Sequence, residues 1–201
     1  MSEKAKTPEI RFKGFADPWE QRKLGELVSY TSSSLTATDA DNTGAYDLYD
    51  ANNIIGKTNA AHMNKPYITV IKDGAGVGRI RRMPKNTMFI GTMGGLSAEN
   101  SNLDFVYSLL SCFSLENEFT GSTIPHIYFK DYSQNVYAIP CEQEQQRIGA
   151  CFSNLDFLIT LHQRKCPVPC TSAKIKVARI NARKVRPNSP FGWGYAEEAC
   201  S

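Results

Sequence analysis

The apolar positions of this chain change period along its length, and the changes mark its elements. Across residues 45–90 they fall in short runs rich in β-branched and aromatic residues, separated by turn residues, which predicts strands. Tyr67-Ile68-Thr69-Val70-Ile71 is one such run and Thr87-Met88-Phe89-Ile90 another; Asn135-Val136-Tyr137-Ala138-Ile139 is a third, ended by Pro140. Lys72-Asp73-Gly74-Ala75-Gly76-Val77-Gly78-Arg79 predicts a glycine turn followed by a return strand. From Asn102 to Phe113 the period lengthens: Leu103, Val106, Leu110 and Phe113 share one helical face. The clearest helical period lies in 142–165, where Ile148, Cys151, Phe152, Leu155, Leu158 and Ile159 form a stripe. Glu142 and Glu144 open that helix and Arg164 and Lys165 close it, as the helix dipole favours.

The remaining stretches read from their turn chemistry. Asp17 as N-cap and Pro18 as first helical residue predict a turn leading into a short helix over 18–27. Residues 31–44 are small and polar and predict a loop. Pro167 and Pro169 cannot continue a helix, and residues 171–201 are basic at first and then rich in Pro, Gly and aromatics, which predicts a poorly ordered tail. The expected fold is α/β (α+β): a domain over 1–141 of twisted, mostly antiparallel strands with flanking helices, then an α-helix over 142–165 and a tail over 166–201. A helix of six or seven turns has to pack on something. Its stripe reads either as a core face of the same domain or as a face for a partner helix.

Composition narrows the function classes only a little. With 201 residues and 41% hydrophobic content the chain can bury a real core. A net charge of +3 neither demands nor excludes nucleic acid, so a DNA surface requires local clustering of the basic residues. No apolar run is long enough to span a membrane, and the charged N-terminus lacks the apolar core of a secretory leader. The six cysteines are scattered, which suits free thiols in a reducing cytoplasm. Cys166 and Cys170 have half a zinc-site spacing, but no histidine stands at ligand spacing beside them.

Enzyme signatures are missing. The glycine turn superficially suggests a phosphate loop, yet no Gly-Lys-Ser/Thr follows it. HExxH, GxSxG and the Asn/Asp-Pro-Pro-aromatic tetrad of amino-methyltransferases do not occur. His62, His126 and His162 are isolated, and Asp73 alone makes a weak metal candidate. Two features suit nucleic acid. Arg79, Arg81, Arg82 and Lys85 cluster after the glycine turn; in a strand Arg79 and Arg81 share a face and Arg82 takes the other. Such a cluster neutralises phosphates or pairs with guanine, or else simply protects a sheet edge. Gly121-Ser122-Thr123-Ile124-Pro125-His126-Ile127 is dense in small donors, suited to phosphate or base edges, although an ordinary loop has the same composition.

In order along the chain, these segments resemble the specificity subunits of type I restriction–modification enzymes. PEIRFKGFADPWEQRKLGEL is similar to the family's opening, and YDLYDANNIIGKTN to its "Y-P-L-Y-x-x-N-G-I-I-G" segment, with Asn53 where Gly is usual. ITVIKDGAGVGRI resembles its Asp-Gly-x-x-Gly hairpin, FVYSLL its "F-L-Y-Y-L-L" helix and GSTIPHIYFKDY its "G-S-T-I-P-H-I-x-K-K-D" loop. IPCEQEQQRIGACFSNLDFLITLHQRK resembles the family's closing helix, and the likeness covers roughly 8–165. The resemblance implies a target-recognition domain over 1–141, a spacer/dimerisation helix over 142–165 and binding of double-stranded DNA at one half of a bipartite site. It implies a non-catalytic, cytoplasmic subunit with no cofactor of its own. S-adenosylmethionine, ATP and magnesium would belong to separate methyltransferase and restriction/translocase subunits that assemble on it. A full subunit carries two recognition domains whose helices pair antiparallel. The single domain here, with its helix broken at Cys166–Pro169, implies a half-length form. The expected DNA contacts are Lys72, Arg79, Arg81, Ser122, Thr123, His126 and Lys130, and the expected partner face is Ile148, Phe152, Leu155, Leu158 and Ile159, with weak self-association through 142–165. The rival expectations are a scaffold whose helix over 142–165 binds methyltransferase subunits without productive DNA reading, a stand-alone nuclease or methyltransferase with an unrecognised site, and an inactive truncated remnant.

Overall fold

The run Tyr67–Ile71 becomes a strand buried along its whole length, and the architecture is arranged about it. The computed structural model describes residues 8–121 and 125–165. In chain order the elements are β1 (Glu20–Lys23), α1 (Leu24–Leu27), β2 (Val28–Ser32), β3 (Tyr46–Tyr49), β4 (Ile54–Thr58), β5 (Tyr67–Ile71), β6 (Ile80–Met83), β7 (Thr87–Phe89) and β8 (Met93–Ala98). There follow α2 (Leu103–Cys112), α3 (Phe129–Tyr132), β9 (Val136–Ile139) and α4 (Glu142–Lys165). Among the described residues β2-β8-β5-β6 form a four-stranded antiparallel sheet, β4-β3-β7 a second sheet and β1-β9 a pair.

The four-stranded sheet separates two cores. Ile68 and Val70 of β5 point into one, with Leu24, Leu27, Leu96, Phe105, Val106, Leu110 and Tyr137. Tyr67 and Ile71 point into the other, with Leu48, Met83, Met88, Phe89 and Met93. A strand covered on both faces reads as an unbroken apolar run because neither set of alternate positions meets water. The predicted helix at 102–113 is α2, and Asn102 is its N-cap, its side chain accepting a hydrogen bond from the Phe105 N–H at 3.0 Å.

Two local expectations are corrected. Residues 18–27 are not one helix: Glu20–Lys23 pair with Ile139–Val136 of β9, and only Leu24–Leu27 are helical. The partner strand overrides the helical start signal at Asp17-Pro18, because the pairing satisfies the backbone of 20–23. The loop expected over 31–44 is partly ordered, since β2 runs to Ser32 opposite Gly94 and a 3₁₀ turn spans Ala37–Asp39. The Asp39 carboxylate accepts from the Thr36 N–H and hydroxyl, each at 2.7 Å, and these bonds hold it below the usual carboxylate range.

The seat of α4 is polar at its first turn. Glu144 is fully buried and Gln145 nearly so. Glu144 accepts from Arg11 Nε at 3.0 Å and Nη2 at 2.6 Å, and from the Trp19 indole at 3.1 Å. These donors offset the desolvation of the carboxylate and draw the segment before β1 onto the helix. Gln145 accepts from the Asn102 N–H at 3.0 Å and donates to the Pro140 carbonyl at 3.0 Å, joining the starts of α2 and α4. One turn on, Ile148 packs against the first core. At Gly149 the helices nearly touch: a Cβ there would lie 2.6 Å from Asn102 Oδ1 and 2.8 Å from the Phe105 nitrogen. The residues expected outside this domain, 166–201, lie outside the described residues.

Gly149→Ala therefore overpacks a backbone contact. It is expected to destabilise the domain by about 1–3 kcal/mol, more than alanine's helix propensity returns. Urea unfolding of the whole chain checks this; a neutral or stabilising effect would mean that α2 and α4 separate freely.

Candidate nucleic-acid interface

The glycine turn and the donor-rich segment, far apart in the sequence, meet in the fold. The Gly74 N–H donates to the Pro125 carbonyl at 3.1 Å, and the Ile127 N–H donates to the Lys72 carbonyl at 2.9 Å. Asp73 and His126 form a backbone bridge, and the Asp73 carboxylate contacts His126 Nδ1. Gly78 lets the turn close: it has φ of +82°, and a Cβ there would sit 2.5 Å from the Leu115 carbonyl carbon. The turn is therefore locked on two sides, by 125–127 and by the 3₁₀ turn Leu115–Asn117.

Alternate residues after Pro125 line up. The His126 and Tyr128 rings lie 4.1 Å apart, and the Lys130 ammonium sits 5.2 Å from the Tyr128 centroid. Tyr128 and Lys130 are exposed, and Lys72 and His126 are half-buried. The Lys72 side chain forms no hydrogen bond or ion pair with another described residue, so its charge remains available. This places Lys72, His126 and Lys130 at one junction; Ser122 and Thr123 lie outside the described residues. Tyr128, an exposed ring between an imidazole and an ammonium, was not singled out from the sequence. The alternation His126-x-Tyr128-x-Lys130 was the signal available for it.

The arginine cluster divides as strand alternation requires. Arg79 Nη2 donates to the Ala51 carbonyl at 3.0 Å and to Asn52 Oδ1 at 2.7 Å, and Arg81 Nη1 donates to the Asn52 carbonyl at 2.9 Å. Arg81 also lies 5.3 Å from the Tyr49 ring centroid. The pair is exposed but engaged: it props the loop after β3, which Asp50 shapes by accepting from the N–H groups of Asn52 and Asn53. Arg82 takes the opposite face, toward α2 and α4. Asn52, missed in the sequence, is held by both exposed arginines.

The predicted partner face on α4 splits along the helix. Ile148 packs on the core and Phe152 is half-buried, whereas Leu155 (45%), Leu158 (49%) and Ile159 (41%) stand exposed. Phe157, outside the predicted stripe, is 62% exposed. The helix thus presents a core face in its first half and an uncovered apolar face in its second. A groove of about 370 Å³ between the first segment and α4 is lined by Phe15, Gln143, Gln146, Arg147 and Ala150, a set with no acid–base or nucleophilic pairing. Among the described residues no three His, Cys, Asp or Glu side chains gather as a metal site, and no helix is long and apolar enough to cross a membrane.

Solved structures share this architecture. An S subunit of the type I restriction–modification system from M. genitalium superposes with a TM-score of 0.60 at 22% identity, over 79% of this chain and 46% of that one. A chain from a structure of complex assembly and conformational transition of the type I R-M system gives 0.60 at 17% identity, over 76% and 42%. The HsdS subunit from Thermoanaerobacter tengcongensis gives 0.55 at 16%, over 77% and 42%. The chain thus spans less than half the length of each of these proteins, and it shares the fold of the part it matches. No curated protein sequence matches it. The sequence model of the type I restriction modification DNA specificity domain matches residues 16–167, and the chain belongs to that family.

Asp73→Asn is expected to loosen the junction without unfolding the sheets. Amide exchange at Gly74 and Ile127 should rise while that of β5 stays slow. Unchanged exchange at both positions would mean that the backbone bridge alone holds the two segments.

Proposed function

We propose that residues 1–141 form a target-recognition domain that binds double-stranded DNA and reads one half of a bipartite site. The helix over 142–165 serves as a spacer that docks methyltransferase and restriction subunits. The observation that carries this reading is the family match over 16–167, joined to a surface on which the glycine turn and the donor-rich segment converge. Lys72 and Arg79 stand at the two ends of the glycine turn, Arg81 lies two residues further along the return strand, and Lys130 stands beside the exposed Tyr128 ring at the junction. Phosphate contacts from such cations fix register, while side chains with paired donors and acceptors specify bases. His126 belongs to the same proposed surface, and Ser122 and Thr123 are proposed as DNA contacts from the sequence. The chain itself is non-catalytic in this reading and requires no cofactor; methyl transfer, ATP hydrolysis and cleavage fall to the partner subunits in the cytoplasm.

The double variant Arg79→Ala/Arg81→Ala is expected to weaken binding to duplex DNA and to flatten its salt dependence. Each lost phosphate contact reduces the log–log slope by about 0.9. Because both arginines also hold Asn52, Asn52→Ala is the control: it releases the loop and keeps both charges. An unchanged slope in the double variant would remove the arginines from the phosphate contacts. Incubation of the purified chain with DNA, magnesium and S-adenosylmethionine should yield neither cleavage nor methyl transfer.

The uncovered half of α4 supports the docking part of the reading. Burying a Leu or Phe side chain contributes about 1.5–3 kcal/mol, whereas association costs about 4–15 kcal/mol. Leu155, Leu158 and Ile159 alone thus give a monomer or a micromolar dimer, tightened by the methyltransferase subunit. Leu155→Asp or Leu158→Asp should abolish co-assembly while the recognition domain stays folded. Sedimentation checks this, and a stable nanomolar dimer of the chain alone would contradict it.

A further inference from the structure

Along α4, the tethers to the domain follow one another in sequence and then stop. Glu144 holds Arg11 and Trp19, Gln145 holds Asn102 and Pro140, Ile148 enters the core and Gly149 abuts the start of α2. The next contact comes from the sheet itself. Arg82 of β6 donates from Nη1 to Ser153 Oγ at 2.9 Å and pairs with Asp104 of α2 at 3.3 Å. Its guanidinium carbon lies 4.2 Å from the Tyr107 ring centroid. Beyond Ser153, Leu155, Phe157, Leu158 and Ile159 are exposed and Leu161 is half-buried. Arg82 is thus the outermost described tether between the recognition domain and the helix, and it joins the sheet edge, α2 and α4 at one guanidinium.

Two features mark this as a built position. Arg82 shares the core-side face of β6 opposite Ile68, where a charged residue has to be accommodated between α2 and α4. Its Nε and Nη2 are closed off from solvent with no acceptor. That arrangement is costly, so packing on Tyr107 and the bond to Ser153 must compensate for it. The neighbouring Arg81 faces the other way and holds the Asn52 loop. A single strand edge therefore carries, on successive residues, a prop for the proposed DNA surface and a strut for the helix.

We infer that Arg82 is a positioning residue: it sets the direction in which α4 leaves the recognition domain, and so fixes the proposed DNA-reading surface relative to whatever packs on the far half of the helix. Its importance for spacing along DNA rests on the proposed function; its control of the helix direction does not. A helix pivoting at Ser153 displaces its far end in proportion to the remaining length of the arm, which grows by about 1.5 Å per residue. A small error at the guanidinium is therefore amplified at Lys165.

The test uses the whole chain with its six cysteines replaced by serine and spin labels on Lys65→Cys and Gln163→Cys. Electron–electron distance measurements should give one narrow distribution. Arg82→Ala should broaden or shift it, and Arg82→Lys, which keeps the charge over Tyr107 and one donor for Ser153, should restore it in part. Ser153→Ala should broaden it as well, and serves if the arginine variant fails to fold. Affinity for a random-sequence DNA duplex should stay within about twofold in Arg82→Ala, since no phosphate contact is removed. An unchanged distance distribution in both Arg82→Ala and Ser153→Ala overturns the inference. A loss of duplex affinity in Arg82→Ala with unchanged distances also overturns it, by making Arg82 a DNA contact. Failure of the wild-type chain to bind any duplex would sink the proposed function and leave the distance result standing.

Discussion

The Glu144 carboxylate is the constraint on which the arrangement of this domain depends. It is buried, and a buried carboxylate survives only where donors surround it. Arg11 and Trp19 supply those donors from more than a hundred residues upstream, so the first segment of the chain is fastened to the first turn of α4. The same bonds raise the Arg11 guanidinium further above its already high range, so the arginine stays charged. Gln145, the next residue, repeats the device toward Asn102 and Pro140. Two adjacent side chains thereby place β1, β9, the cap of α2 and the start of α4 in one cluster.

From that cluster outward the packing follows from sheet geometry. β5 has cores on both faces, so its neighbours must present side chains to two environments. On β6, at the sheet edge, this gives Arg81 to the loop after β3 and Arg82 to the helices. The glycine turn between β5 and β6 is held against Leu115 and Pro125, so the cations at its two ends, Lys72 and Arg79, are carried on a fixed support. A recognition surface needs this property, because contacts that are preorganised lose less entropy on binding.

Much of this was legible in the sequence. β5, the return strand β6, β7, α2, β9 and α4 follow from apolar period and turn residues, and the order of motifs carried the family resemblance that the match over 16–167 establishes. The features that escaped were non-local. β1 looked helical because its partner β9 lies more than a hundred residues away. Glu144 reads from the sequence only as a dipole-favoured residue of the first turn, since nothing nearby announces Arg11 and Trp19 as its donors. Arg79 and Arg81 were correctly placed on one face, but that they direct hydrogen bonds to Asn52 depends on where the loop after β3 returns. The helical stripe on α4 was seen whole, whereas its division into a covered and an exposed half depends on where α2 ends and the tether at Ser153 falls.

The central claim is that this domain reads DNA sequence rather than merely adhering to phosphates. Repeated selection of bound duplexes from a random-sequence pool by the whole chain, at low and at near-physiological salt, tests it most directly. Non-specific binding is electrostatic and collapses as salt rises, while base contacts persist. The account predicts that one short contiguous motif is enriched, and more sharply at the higher salt. Retention of DNA at low salt with no motif enriched at either condition would contradict it.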